Sequence, residues 1–337
     1  MTTAAPTASG PRLGVSLSGA EFGTEKPGFS NRAPGTFGRD YTYNTERSVG
    51  YFCEQGLGLI RIPVRWERLQ PRLGEALDGL ELSRLRVAIG WVRKHGGSAI
   101  IDLHNYGRYT LADDSGTRVC VIDQSHAGQA GVTREHFADI WRRMAETFKD
   151  DAAIHGYGLM NEPHDMGSSD WKAISQLAVN AIRTTGDTHL VLVAGNEWSK
   201  AQNFAAINGK PWISDPCGNI AYEAHCYFDR EGSGKYASSF AAELAADANL
   251  VERGSRRLTE FVNWCRLHQV SGFVGEFGMP RDAQWQPVLD RFLQTLDEAG
   301  MDGCAWGAGE WWGNYPLSIQ PSSDFHQAAP QMESLRR

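Results

Sequence analysis

Short apolar or alternating runs rich in β-forming residues recur along this chain, each followed by a polar loop and then by a stretch with helical periodicity. Eight such runs fall at 13–19, 59–65, 98–105, 154–161, 189–196, 220–228, 272–278 and 304–310. Between them, a 3.6-residue apolar period predicts helices over 81–95, 133–149, 171–185, 256–268 and 283–299. Strand and helix alternating eight times predicts an α/β fold, a (β/α)8 TIM barrel in a single domain. Parallel neighbours need a crossover helix, and eight strands close on themselves. An open doubly wound sheet would instead place a glycine-rich phosphate turn after the first strand. Ser18-Gly19-Ala20-Glu21-Phe22-Gly23 lacks that spacing.

Side chains two apart on a strand share a face, and that parity sorts the polar residues. On the second run Arg61 and Arg65 oppose Ile60, Ile62 and Val64, and on the third Asp102 and His104 oppose Ile101 and Leu103. On the sixth Glu223, His225 and Tyr227 share a face, and on the seventh Glu276 shares one with Val274. A barrel interior is normally filled by branched apolar side chains, so charges near the C-terminal ends of several strands predict a site at that rim. The competing reading is a purely structural polar network, in which each buried charge is paired. Two carboxylates close strands: Glu162 in Met160-Asn161-Glu162-Pro163, and Glu276 in Gly275-Glu276-Phe277-Gly278. Their strands, the fourth and seventh, are three steps apart around the barrel. The side chains would then face each other near the ~5 to 5.5 Å that double displacement at a sugar requires. Two long loops, 106–132 and 229–254, leave the same rim.

Composition narrows the classes. The chain has 337 residues, 41% hydrophobic and 22% charged, enough apolar surface for a substantial core. A net charge of −7 without a dense basic run excludes a nucleic-acid partner. No stretch approaches the roughly 18 apolar residues of a membrane span. Residues 1–12 (MTTAAPTASGPR) predict a flexible leader or the remnant of a linker left after a secretion signal was trimmed, with the barrel over 13–337. Secretion is the corresponding expected location. Cys53, Cys120, Cys217, Cys226, Cys265 and Cys304 show no C-x-x-C spacing, so neither a zinc site nor a redox pair is indicated. Buried free thiols are expected, with one or two disulfides open in a secreted protein. Eleven Trp supply flat faces that suit sugar rings as well as protein cores.

Six segments in strand order carry a resemblance: Ile60-Arg61-Ile62-Pro63, Asp102-Leu103-His104-Asn105-Tyr106, Leu159-Met160-Asn161-Glu162-Pro163-His164-Asp165, His225-Cys226-Tyr227, Gly275-Glu276-Phe277-Gly278 and Trp306-Gly307-Ala308-Gly309. Together, from about Leu13 to Arg337, they resemble glycoside hydrolase family five in its endoglucanase (cellulase) branch. The resemblance implies Glu162 as acid/base and Glu276 as nucleophile. It implies that Arg61 holds Glu276 ionised and oriented, and that His104 and Asn161 contact the sugar in the cleaved subsite, Asn161 at the 2-hydroxyl. Tyr227 would hydrogen-bond the nucleophile, His225 would sit beside the acid/base, and Trp306 would form the stacking floor. Cys226, between His225 and Tyr227, is a departure and is expected to point outward. Charge logic agrees: a guanidinium should lower the Glu276 carboxyl, while the neighbouring negative charge lets Glu162 start protonated. Further aromatics are expected on the rim loops: Phe22, Tyr106, Tyr109, Trp198, Phe228, Trp311, Trp312 and Tyr315. Among these, Trp311 or Trp312 is expected as a sugar platform and Phe22 as packing. Glu310 is open between a sugar-binding carboxylate and a solvated loop residue.

The implied function is a monomeric endo-β-1,4-glucanase on β-glucan oligo- or polysaccharide, retaining, open to transglycosylation, and using neither metal nor organic cofactor. A mannanase or xyloglucanase shares the chemistry. A non-catalytic carbohydrate-binding protein is the rival from another class, yet it gains nothing from a matched acid and nucleophile. A metal-dependent barrel hydrolase would want an H-x-H pair at a strand end, and the sequence has none.

Overall fold

The computed structural model describes residues 12–124 and 131–336. The expected leader at 1–12 therefore lies outside the described residues, except for Arg12, which pairs with Asp302. The chain opens with β1 (Leu13–Leu17), α1 (Glu46–Glu54), β2 (Leu59–Val64), α2 (Trp66–Leu69), α3 (Gly79–Lys94) and β3 (Ser98–Leu103). There follow β4 (Arg108–Asp113), β5 (Gly116–Val121), α4 (Arg134–Phe148), β6 (Ile154–Gly158), α5 (Trp171–Arg183), β7 (Leu190–Ala194) and α6 (Phe204–Asn208). The remainder is β8 (Ile220–Tyr227), α7 (Phe240–Ala246), α8 (Arg253–His268), β9 (Gly272–Gly278), α9 (Gln286–Ala299), β10 (Gly303–Ala308) and α10 (Met332–Leu335). Eight strands close in the order β1-β10-β9-β8-β7-β6-β3-β2, each parallel to its neighbours. This is the (β/α)8 barrel that the alternation predicts.

Helix α4 shows how the layers form. Thr133 and His136 make a reciprocal capping box at its N-terminus. Phe137, Ile140, Trp141, Met144 and Phe148 recur at helical spacing and are buried, so one stripe of the helix lies on the barrel. The main apolar core lies between strands and helices and takes the outward residues Ile60, Ile62, Val64, Ile101, Leu103 and Val193. A separate apolar layer, Leu59, Ile100, Leu192, Ala221, Phe273 and Cys304, fills the barrel interior. Truncating one of its large members would cost about 2–5 kcal/mol. One step up, the inward positions are Arg61, Asp102 and Glu223, all buried, so the interior changes from apolar to charged toward the C-terminal rim.

Three expectations need correction. Segment 106–132, read as loop, contains the antiparallel β4–β5 hairpin, with Arg108 opposite Val121. Segment 229–254 contains α7. The parity that put Val274 with Glu276 fails: Phe273 joins the interior layer, while Val274 joins the outer core. Ala224 pairs with Val274 but His225 pairs with Glu276, so Gly275 is the extra residue of a β-bulge. The bulge resets the alternation and returns Glu276 to the interior. Among the described residues no helix is long and apolar enough to cross a membrane.

Candidate active site

Arg61 is fully buried and is the hub of the rim. Its Nη1 donates to Glu276 Oε1 at 3.0 Å and to Ser16 Oγ at 3.3 Å. Its Nη2 donates to Asn161 Oδ1 at 2.7 Å and pairs with Asp102 Oδ1 at 3.0 Å and Glu223 Oε1 at 3.6 Å. Burial works against its charge, but Asp102, Glu276 and Glu223 outweigh burial and raise the group. Burial likewise works against the Asp102 charge, yet Arg61 and His104 overcome it and hold Asp102 below the usual carboxylate range.

The two rim carboxylates come together. Glu276 Oε2 accepts from the Tyr227 hydroxyl at 2.6 Å and lies 3.5 Å from His225 Nδ1. Burial, then the charge on Glu276, push the Tyr227 phenol well up, so it remains a donor. His225 Nδ1 lies 2.8 Å from Glu162 Oε1, and its Nε2 lies 3.1 Å from Glu223 Oε1. Burial pulls this imidazole down, but Glu276, Glu162 and Glu223 together raise it to about 10. Glu162 itself sits at φ 44°, a left-handed conformation that side chains other than glycine rarely adopt.

The electrostatic expectation for Glu276 is overturned. Its carboxyl is raised, because desolvation in the closed rim outweighs the pull of His225 and Arg61. The guanidinium is visible in the sequence, whereas the depth of burial that decides the sign is not.

Glu162, His225 and Glu276 each present one ligand atom, all within 4.8 Å of one another, a spacing that could accept a metal ion. Both ring nitrogens of His225 face carboxylates, and a doubly protonated imidazole has no lone pair for a metal.

The remaining expected residues surround this pair. His104 Nδ1 is 2.8 Å from Asp102 Oδ2, and its Nε2 faces the Tyr106 hydroxyl at 3.1 Å and Asn161 Nδ2 at 3.3 Å. The ring of Trp306 stacks beside His104, 5.4 Å between centroids and 9° between planes.

The sequence pattern of Cellulase (glycosyl hydrolase family 5) matches residues 15–314. The chain belongs to glycosyl hydrolase family 5. Endoglucanase 1 of Robillarda sp. is 30% identical over 345 residues, covering 94% of this chain and 85% of its own. The probable endo-beta-1,4-glucanase B of Neosartorya fischeri is 28% identical, covering 92% and 86%. Among solved structures, endoglucanase Cel5A of Pseudomonas stutzeri in complex with cellobiose superposes with a TM-score of 0.83 at 33% identity, covering 96% of this chain and 91% of that one. XacCel5A in complex with cellopentaose gives 0.81 at 32% identity, covering 97% and 98%.

Around the family 5 rim, the other aromatics divide. Trp311 is 41% exposed, whereas Trp312 stacks on Tyr315 at 4.1 Å and meets Phe22 edge-on at 4.7 Å. Tyr109 and Phe228 lie on the rim segments after β3 and β8 as expected, but each is fully buried, against Trp66 at 5.1 Å and Phe292 at 5.0 Å respectively. Glu310 is an exposed loop residue, as one of its readings has it, but it is held in place. Its Oε1 accepts from the Thr45 backbone N–H at 2.9 Å and from the hydroxyls of Thr45 and Ser48 at 2.6 and 2.7 Å, fastening the loop after β10 to the start of α1. All six cysteines are free, and Cys226 is buried in the outer core.

The inner-face position of Glu223 carries no sign of its partners in the sequence, and neither does the role of Gly275. Trp198, expected on the rim, stacks on His164 at 4.5 Å, within three consecutive left-handed residues, Glu197 to Ser199. Such a run has no signature in residue type.

Proposed function

We propose that this family 5 glycoside hydrolase is a retaining endo-β-1,4-glucanase, with Glu276 as nucleophile and Glu162 as acid/base. One observation carries the reading: the facing oxygens of the two carboxyls lie within 4.8 Å. Inverting enzymes hold theirs about 6.5–9.5 Å apart to admit a water, whereas about 5–5.5 Å leaves room only for direct attack. Glu276, steadied at one oxygen by Arg61 and at the other by Tyr227, attacks the anomeric carbon as Glu162 gives its proton to the departing glycosidic oxygen. Glu162 then takes a proton from the water that cleaves the glycosyl-enzyme, and two inversions give net retention.

In this reading His104 and Asn161 bind the reacting sugar, His225 holds Glu162, and Trp306 is the floor. Trp311 and Trp312 line the neighbouring position. A glucan backbone is supported by relatives named endoglucanases and by a structural neighbour that holds cellopentaose. Secretion and a monomeric state belong to the same reading. Proton NMR of a fresh cello-oligosaccharide digest should show the β-anomer first, with α arising by mutarotation. An initial α-product would overturn the mechanism. Faster turnover of mannan or xyloglucan than of carboxymethylcellulose would overturn the backbone.

A further inference from the structure

Behind His225 stands a carboxylate that the mechanism above does not use. Glu223 is 1% exposed, lies two residues before His225 on β8, and places Oε1 3.1 Å from the His225 ring nitrogen that faces away from Glu162. Arg61 holds the same oxygen at 3.6 Å from the other side. The room for this side chain comes from β9. A Cβ at Gly275 would overlap Glu223 Oε1 and lie only 2.6 Å from its carboxyl carbon. The bulge that returns Glu276 to the interior thus also opens the slot in which Glu223 lies.

We propose that Glu223 is a positioning residue: seated in the Gly275 slot, it keeps a proton on each nitrogen of His225, so that Nδ1–H points at Glu162 and cannot accept the proton meant for the substrate. The inference rests on the reading of Glu162 as the acid. A neutral imidazole with its proton on Nε2 would turn a lone pair toward Glu162 and compete with the glycosidic oxygen. A neutral imidazole with its proton on Nδ1 would set a lone pair against the carboxylate of Glu223. With Glu223 as a carboxylate and the Glu162 proton kept for the substrate, the doubly protonated ring is the form that satisfies both contacts. With Glu162 Oε1 occupied by Nδ1–H, the exchanged proton rides on Oε2.

The groups around His225 are consistent with this assignment. Glu162 beyond β6 and Glu276 on β9 face the ring together with Glu223. Arg61 on β2 lies behind Glu223, with Asp102 and His104 beyond it and Cys304 of β10 alongside. Tyr227 contributes a neutral phenol on Glu276. Lys200, whose backbone pairs with His225, directs its ammonium to the Glu231 carbonyl and the Trp198 ring instead. The net effect of this surround is to raise the imidazole.

Two measurements test the proposal. Selective 15N-histidine NMR of the wild-type protein, with His225 assigned by its loss in His225→Asn, should show both ring nitrogens protonated at pH 8. A neutral His225 there overturns the proposal, whatever the substrate. In Glu223→Gln, His225 should lose a ring proton near neutrality, so above that pH Nδ1 can take the proton of Glu162 and the alkaline limb of kcat/KM should move down by about one pH unit. Glu223→Asp, which keeps the charge, should restore much of that limb. A Gln variant that keeps an imidazolium and an unmoved alkaline limb would falsify the assignment and leave Glu223 a structural ion-pair partner. Failure of the parent reading looks different: the wild-type enzyme would not cleave β-1,4-glucan, while the histidine signal would be unaffected.

Discussion

Arg61 and Tyr227 grip opposite oxygens of Glu276, at 3.0 and 2.6 Å, so the carboxylate plane is fixed before any sugar arrives. Tyr227→Phe removes one grip without opening much space. A hydrogen bond to a charged group contributes about 1.5–3 kcal/mol, so kcat/KM on cello-oligosaccharides should fall roughly 10- to 100-fold. Unchanged kinetics would show that Arg61 alone orients the nucleophile. The pH profile follows from the same residue. In the proposed mechanism Glu276 must be ionised to attack, and burial holds its carboxyl above its ordinary value of 4.5. Activity should therefore fail, as pH drops, at a higher pH than an exposed glutamate would give, and a profile flat to pH 4 would contradict the burial. Arg61 and His104 are readable from strand parity, and Glu162 and Glu276 from closing their apolar runs, although parity alone misplaces the neighbours of Glu276. Glu223 was readable only as a position. That its side chain fits depends on the missing Cβ at residue 275, which lies on another strand, and a one-dimensional pattern does not pair strands.

The bulge and the clasp belong to the scale of elements. Apolar runs such as 59–65 and 98–105 located β2 and β3 closely, because strands buried on both sides leave little room for polar residues. The β4–β5 hairpin was missed because its residues are mostly half-exposed and include Arg108, Thr110 and Asp113, which reads as loop. The β9 bulge was invisible because alternation assumes an unbroken ladder. Glu310 is a clasp between elements: it accepts from the backbone N–H and hydroxyl of Thr45, the N-cap of α1, and from the Ser48 hydroxyl, while the Thr45 side chain caps no backbone N–H of the helix. Glu310→Ala should lower stability by about 1–2 kcal/mol, as loss of hydrogen bonds to a charged group does, and be seen as a lower Tm. The ranking of glucan, mannan and xyloglucan should stay as in the parent. A changed ranking with unchanged Tm would return Glu310 to the substrate cleft.

Across the whole molecule, the eightfold alternation was readable because each unit repeats the same hydrophobic logic, and closure followed from the count. The chemistry expected at the C-terminal rim follows from the proton inventory. Arg61 and His225 stand among Glu162, Asp102, Glu223 and Glu276, and with His225 charged as proposed they would take the neutralising role of a metal. Chelator treatment should leave the rate unchanged. Inactivation by EDTA with rescue by a divalent ion would mean that His225 yields a proton to a metal. The same hub bears on how the chain reaches its native state. Arg61 is separated from Glu276 by 215 residues, and its other partners come from β1, β3, β8 and the turn after β6. A half-formed barrel leaves this guanidinium or its carboxylates buried without their mates, a costly state. Recovery of hydrolytic rate in a refolding chain should therefore lag the early return of helix and coincide with the meeting of β1 and β10, so that turnover itself reports when folding is complete.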